Sequence, residues 1–295
     1  MAHLFHGSLV ALITPFKNGK LDEAALEKML EWHIANGTNA IVPAGTTGEC
    51  PTLTHEEHER VVALTAQIVH GRIPVLAGAG SNNPVEAVRL TNAAEKAGAD
   101  GVLHVAGYYN RPNQDGLYAH FKMINDETSL PIIIYNIPGR AVVNITPATV
   151  AKMANDLPHI AGIKDATGDL ERPWLERQLI KRDDFTWLSG NDSTQVSYNV
   201  AGGVGCISVT ANIAPALVSK VQALCAENKW VEARELQDKL MEIHKLMFKE
   251  PSPAPAKYAA SLLGLCTEEV RLPVLPISDG LRAEIKTAMQ ELELI

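Results

Sequence analysis

The 295-residue chain is sparing with cysteine. Its four, Cys50, Cys206, Cys225 and Cys266, lie far apart and show no C-x-x-C spacing. That argues against a zinc site or a disulfide frame and points to reduced thiols in a cytoplasmic protein. No apolar run reaches the length of a membrane span, so no membrane partner is expected. The N-terminus, MAHLFHGSLVALITPF, lacks a cationic start and a small-residue cleavage site, so it does not read as a signal peptide. Lys/Arg-rich runs are also missing, and the net charge of −8 argues against nucleic acid as the main partner. A small anionic substrate stays compatible with that charge, because local cations can bind one. No G-x-G-x-x-G follows the first apolar run, which removes the usual dinucleotide fingerprint. No Asp, Glu and His cluster with metal-ligand spacing stands among the candidate site residues. His55 and His58, spaced HEEH in the first turns of a helix, read as a surface or interface patch rather than a metal site. Neither a metal nor a cofactor is expected.

What is present is an ordinary globular composition, 46% apolar and 20% charged, with enough apolar residues for a large core. One local joint recurs. NGTNAIV at 36–42 is echoed by AGADGVL at 97–103 and more loosely by GGVGCIS at 202–208. Each time a glycine suited to closing a helix precedes a short apolar strand. Such repetition marks successive βα units. Strands are expected at 8–14, 40–42, 74–77, 101–105, 131–135, 160–163, 185–189 and 205–209, eight in all. Asp22, Thr54-x-x-Glu57 and Asn83-Pro84 supply helix starts between them. Eight alternations close most naturally into a (β/α)8 TIM barrel, with an open doubly wound sheet as the alternative. Beyond about residue 214 only helical patterns follow, near 216–227, 231–248, 255–263 and 281–292, with Pro-rich breaks between the later ones. The expected division is a catalytic barrel over 1–225 and a C-terminal helical extension over 226–295.

A barrel keeps its chemistry on the loops that follow its strands. Those positions hold Gly45-Thr46-Thr47-Gly48-Glu49, then Tyr108-Tyr109-Asn110-Arg111, Tyr135-Asn136-Ile137-Pro138-Gly139-Arg140, Lys164, and Ile207-Ser208. The glycines at 45 and 48 suit a tight turn whose hydroxyls and N–H groups face an anion. Lys164 ends an apolar run, and two readings stand. It is a strand-end lysine that snorkels to solvent, or a desolvated amine of the kind Schiff-base chemistry needs. Tyrosine and threonine hydroxyls can relay the protons that forming and resolving an imine requires, and an arginine fork suits a carboxylate. Gly202-Gly203 could suggest a phosphate site, but a helix C-cap explains it better.

Taken together, GTTGE at 45–49, YYNRP at 108–112, YNIPGR at 135–140, GIKDATGDL at 162–170, LSGND at 188–192 and ISVTANI at 207–213 resemble the dihydrodipicolinate synthase family across essentially the whole chain. The resemblance implies class I aldolase-type chemistry on a (β/α)8 barrel: 4-hydroxy-tetrahydrodipicolinate synthesis from pyruvate and L-aspartate 4-semialdehyde, in lysine and diaminopimelate biosynthesis. By match, Lys164 would form the Schiff base and Tyr135 would donate and accept protons. Thr46 and Tyr109 would complete the relay, with Tyr109 reaching in from an adjacent subunit. Thr47 and the Ile207 backbone would hold the pyruvate portion, and Arg140 the semialdehyde carboxylate. N-acetylneuraminate lyase and the 2-keto-3-deoxy sugar acid aldolases share the lysine and tyrosine. Thr46, Thr47 and Arg140 favour the synthase over them. A catalytically silent barrel with a binding or regulatory role is the alternative of another class. The family's L-lysine inhibitor site matches His55, His58, Asn82, Glu86 and Tyr108. Cys50 and Pro51 stand where it usually has Ser and Ala, and Gly107 where it has proline. A homo-oligomer is implied, most often a homotetramer built as a dimer of dimers.

Overall fold

In a computed structural model, which describes residues 3–295, eight parallel strands form one sheet. They are β1 (Gly7–Ala11), β2 (Ala40–Val42), β3 (Leu76–Gly78), β4 (Gly101–Val105), β5 (Ile132–Asn136), β6 (Ile160–Asp165), β7 (Thr186–Ser189) and β8 (Gly205–Ser208). Each neighbours the next, β8 pairs with β1, and the ring closes between β2 and β3 through a single parallel bridge, Ile41 to Val75. This is the expected TIM barrel. Strand interiors such as Ile132–Ile134 are buried throughout, as a sheet covered on both faces requires.

The helices are α1 (Glu23–Ala35), α2 (His55–Val69), α3 (Pro84–Lys96), α4 (Gln114–Asp126), the one-turn α5 (Pro138–Ala141), α6 (Pro147–Asp156), α7 (Arg172–Leu179), α8 (Gln195–Val200), α9 (Pro215–Ala226), α10 (Trp230–Leu246), α11 (Ala254–Leu262) and α12 (Asp279–Glu291). Their starts are encoded locally. Asp22 accepts from the Ala25 N–H, Asn83 accepts from Val85, and Thr54 and Glu57 form a reciprocal capping box. Gly37, Gly98 and Gly202 follow α1, α3 and α8 with φ of +78°, +86° and +102°, the left-handed geometry a helix-closing glycine supplies. Gly202 is therefore a helix end and not a phosphate turn.

Two strand details differ from expectation. The first strand stops at Ala11 rather than at residue 14, because the Asn212 side chain takes over its ladder: Asn212 Nδ2 donates to the Ala11 carbonyl (2.8 Å) and Oδ1 accepts from the Ile13 N–H (3.0 Å). A small antiparallel hairpin, Phe16–Lys17 with Lys20–Leu21, turns on Asn18-Gly19. The Asn-Gly pair, which favours positive φ at both positions, was its signal.

Helix α9 packs on β1, and α10 packs on α9 and α12. One apolar core runs from the barrel residues into Leu240, Ile243, Ile285 and Met289 of the C-terminal helices. No helix among the described residues is long and apolar enough to cross a membrane.

Outside β6, a charged cluster is buried. Arg172 Nε donates to Asp165 Oδ2 (3.1 Å), and its Nη2 donates to the Ile145 carbonyl (2.8 Å) and Glu176 Oε1 (3.1 Å). Trp187 Nε1 donates to Glu176 Oε2 (3.2 Å). Burial pushes the Glu176 carboxyl up from 4.5 to about 7, against the pull of Arg172. A carboxyl raised in the folded state binds its proton more tightly there. Its contribution is full below pH 4.5 and is lost as pH climbs through 7. The stability of Glu176→Gln relative to the parent therefore rises, by at most about 3 kcal/mol, between pH 5 and pH 8. Urea unfolding of both proteins at the two pH values checks this. A relative stability that stays flat or falls would contradict it.

Candidate active site at the carboxyl end of the barrel

The parallel register of β5 and β6 sets Tyr135 directly opposite Lys164. Both side chains are only 6% exposed. Lys164 Nζ lies 4.1 Å from the centroid of the Tyr135 ring, within the range of a cation–π contact. The strand runs on through Asp165, two residues past the expected end, so Lys164 sits in the sheet and does not snorkel outward.

The flanking loops are held by side chains. After β5, the Asn136 carbonyl oxygen Oδ1 accepts from the Ile145 N–H (3.1 Å) and its Nδ2 donates to Asn144 (2.9 Å). That bridge frames the turn bearing Arg140, which is exposed. After β2, Thr14 Oγ1 donates to the Gly48 carbonyl (2.7 Å). Thr47 is buried and Thr46 partly so. The glycines of this turn act differently from expectation. Its left-handed positions are Ala44 (φ +53°) and Glu49 (φ +56°), and Gly45 has open space around it. Gly48 is the constrained one, since a Cβ there would lie 3.0 Å from the Leu12 carbonyl oxygen. Ile207 lies in β8, paired with Leu9 of β1.

A cavity of about 430 Å³ joins the two groups of candidates. Thr46, Ile137 and Arg140 line it beside His55, His58, Glu86 and Tyr108. Lys164 and Tyr135 are not part of that lining, and neither is Asn82. Asn82 instead donates to the Tyr108 carbonyl (3.2 Å) and accepts from Asn110 Nδ2 (2.9 Å). Only His55 of the HEEH pair is exposed. His58 is buried, which corrects the surface half of the surface-or-interface reading for that residue; burial lowers its pKa while a hydrogen bond to the Gly78 backbone opposes the shift. The Ser81 hydroxyl (2.5 Å) and then His55 Nε2 (2.8 Å) hold the Glu86 carboxyl below its ordinary range. Tyr109 is 92% exposed at φ +66°, a strained conformation for a non-glycine residue. The single chain therefore does not bury it with Lys164 and Tyr135.

Sequence reasoning quoted GTTGE and LSGND but gave Glu49 and Asp192 no role. Asp192 is buried and accepts from the Ser208 hydroxyl and from the Val209 N–H (3.0 Å), which fixes the end of β8. Glu49 pairs with Lys257 (2.5 Å). Among the described residues no group of three or more His, Cys, Asp or Glu could hold a metal ion.

This arrangement matches known proteins along its length. The model of the dihydrodipicolinate synthetase family matches residues 4–292. A 4-hydroxy-tetrahydrodipicolinate synthase of Parvibaculum lavamentivorans is 53% identical over 292 residues, spanning 99% of this chain and 100% of the relative. The chloride-inhibited dihydrodipicolinate synthase from Acinetobacter baumannii, solved in complex with pyruvate, superposes with a TM-score of 0.95 at 42% identity, covering 98% of this chain and 99% of that one. The Cyanidioschyzon merolae enzyme, solved with lysine bound, gives 0.96 at 34% identity, with both chains fully covered.

All four cysteines are free, and burial drives each thiol upward, Cys50 to about 12 and Cys266 to about 11. Thiolates are the reactive species. Iodoacetamide at pH 8 should therefore label none of them quickly in the native protein and all four after denaturation. Rapid labelling of Cys50, which lines the cavity, would contradict this account of its surroundings.

Proposed function

The chain belongs to the dihydrodipicolinate synthetase family, and on that premise we propose how its residues carry out the reaction. The activity is that of a 4-hydroxy-tetrahydrodipicolinate synthase, a lyase that condenses pyruvate with L-aspartate 4-semialdehyde in lysine biosynthesis. Relatives about half identical over the full length carry that name, which decides against the sialic-acid lyases and the silent barrel.

One observation carries the assignment of roles: a buried lysine amine lies against a tyrosine ring on the neighbouring strand. Lys164 attacks the keto carbon of pyruvate, water leaves, and an imine forms. Loss of a methyl proton gives the enamine, whose carbon attacks the semialdehyde aldehyde. The amine of that substrate then closes the ring and releases Lys164. Each step moves a proton, and in this reading Tyr135 with Thr46 relays it. Thr47 and the Ile207 backbone hold the pyruvate portion. Arg140 binds the semialdehyde carboxylate, a task its planar fork suits. Tyr109 completes the relay from an adjacent subunit, and its exposure in the single chain supports that reading. This requires at least a dimer, and we propose a homotetramer, working in the cytoplasm. Residues 1–225 act as the catalytic barrel and 226–295 as its helical extension.

We assign the second half of the cavity to L-lysine as an inhibitor. Glu86 offers a carboxylate to an ammonium group, and His55, His58 and Tyr108 supply polar partners; Asn82 supports it by holding Tyr108.

Borohydride reduction with pyruvate should fix an adduct on Lys164, and the enzyme should turn over aspartate semialdehyde but not N-acetylneuraminate. An adduct elsewhere would overturn the role of Lys164. Turnover only of the sialic acid would overturn that of Arg140. Tyr135→Phe should lower kcat about 10²–10⁴-fold, the range of general acid–base catalysis. Glu86→Gln should weaken inhibition by lysine about tenfold or more with kcat unchanged. Unaltered inhibition in that variant would remove Glu86 from the effector site.

A further inference from the structure

The turn that carries Thr46 and Thr47 is gripped from outside the barrel. Glu49 closes this turn in the left-handed region and is 4% exposed. Its carboxylate faces the C-terminal extension. Lys257 Nζ lies 2.5 Å from Oε1, and the Arg271 backbone N–H donates to Oε2 (2.9 Å). Lys257, on α11, has no exposed surface, and its hydrogen bond goes to the Glu269 carbonyl (2.6 Å). Arg271 sends its guanidinium to both oxygens of Glu57 (2.6 Å each), and to the carbonyls of Thr52 (2.7 Å) and Gly19 (2.9 Å). The Phe16 ring centroid lies 4.1 Å from both Lys257 Nζ and Arg271 Cζ. The barrel holds the same turn from its other side through Thr14 and Gly48.

Stability alone explains this arrangement poorly. A buried ion pair is often no better than well-packed apolar side chains, yet breaking one leaves a costly lone charge. Burial lowers the pKa of Lys257, and Glu49 opposes the shift. A lone Glu49 carboxylate would seek water, and its strained backbone would carry the preceding residues with it.

We propose that Lys257 is a positioning residue for the condensation, acting through Glu49, whose other oxygen the Arg271 backbone N–H holds, to fix the hydroxyls of Thr46 and Thr47. The inference rests on the roles given above to those two threonines. The extension thereby sets how pyruvate is held, although none of its residues lines the cavity beside Thr46.

The test compares Lys257→Met, the double variant Lys257→Met/Glu49→Gln, and Thr47→Val, each checked for native circular dichroism at the assay temperature. The expected result is a folded Lys257→Met enzyme with kcat/KM for pyruvate down tenfold or more, KM for pyruvate raised, and KM for the semialdehyde within twofold of the parent. Neutralising the stranded carboxylate in the double variant should recover most of that loss. Lys257→Arg keeps the charge but alters its reach and geometry. It is the variant to read if Lys257→Met fails to fold, and its KM for pyruvate should rise threefold or more. An unchanged KM for pyruvate in a folded Lys257 variant, or a loss the double variant does not recover, would overturn the proposal. Loss in Thr47→Val beside full activity in Lys257→Met would sink the clamp alone. Full activity in Thr47→Val would overturn the reading of the turn and the clamp together.

Discussion

The register between two neighbouring parallel strands is the constraint on which the site depends. Tyr135 stands opposite Lys164 only because Ile134 pairs with Ile163 and Asn136 with Asp165. A slip of one residue would turn Lys164 toward the helices and Asp165 into the barrel. The ion pair on the outer side guards against that slip. Asp165 is held by Arg172, and Arg172 by the Ile145 carbonyl and Glu176. Reversing the faces would bury Asp165 without its arginine and leave Arg172 short of a counter-charge, a severe cost in a dry interior. An outer network thus determines which side chain faces the inside.

The same division recurs around the ring. The groups proposed to react are few, and buried charges and polar groups stand behind the strands that carry them. Asp192 ties down the end of β8 next to Ile207. Gln237 of α10 donates to the Asp192 carbonyl (2.8 Å), and His244 bonds to Thr210 (2.8 Å). Lys257 and Arg271 reach the turn after β2 from the far end of the chain. The C-terminal helices therefore share both the core and the polar scaffolding of the barrel, which fits precise placement of the groups that react.

Much of this was legible in the sequence because it is local. The joint at Gly37, Gly98 and Gly202 needs only a glycine free to take positive φ and an apolar strand after it. Capping at Asp22, Thr54 and Asn83 is likewise written within three residues. Lys164 and Tyr135 stood out because polar groups ended buried strands. What was not legible depends on distance along the chain. Glu49 and Lys257 are paired across the molecule, and nothing near either residue announces the other. The burial of His58 depends on how α2 lies against Gly78, which helical spacing alone does not settle. The constrained member of the Gly45–Gly48 turn is fixed by the approach of Leu12, another distant contact. The Asn18-Gly19 hairpin was readable and stood just past the first strand.

The most direct measurement is the structure of crystals soaked in pyruvate. The account predicts continuous electron density from Lys164 Nζ to the keto carbon, with the Tyr135 hydroxyl within hydrogen-bond reach of the adduct and the pyruvate carboxylate on the Thr47 turn. Pyruvate bound while Lys164 remains a free amine, or an adduct remote from Tyr135, would contradict it.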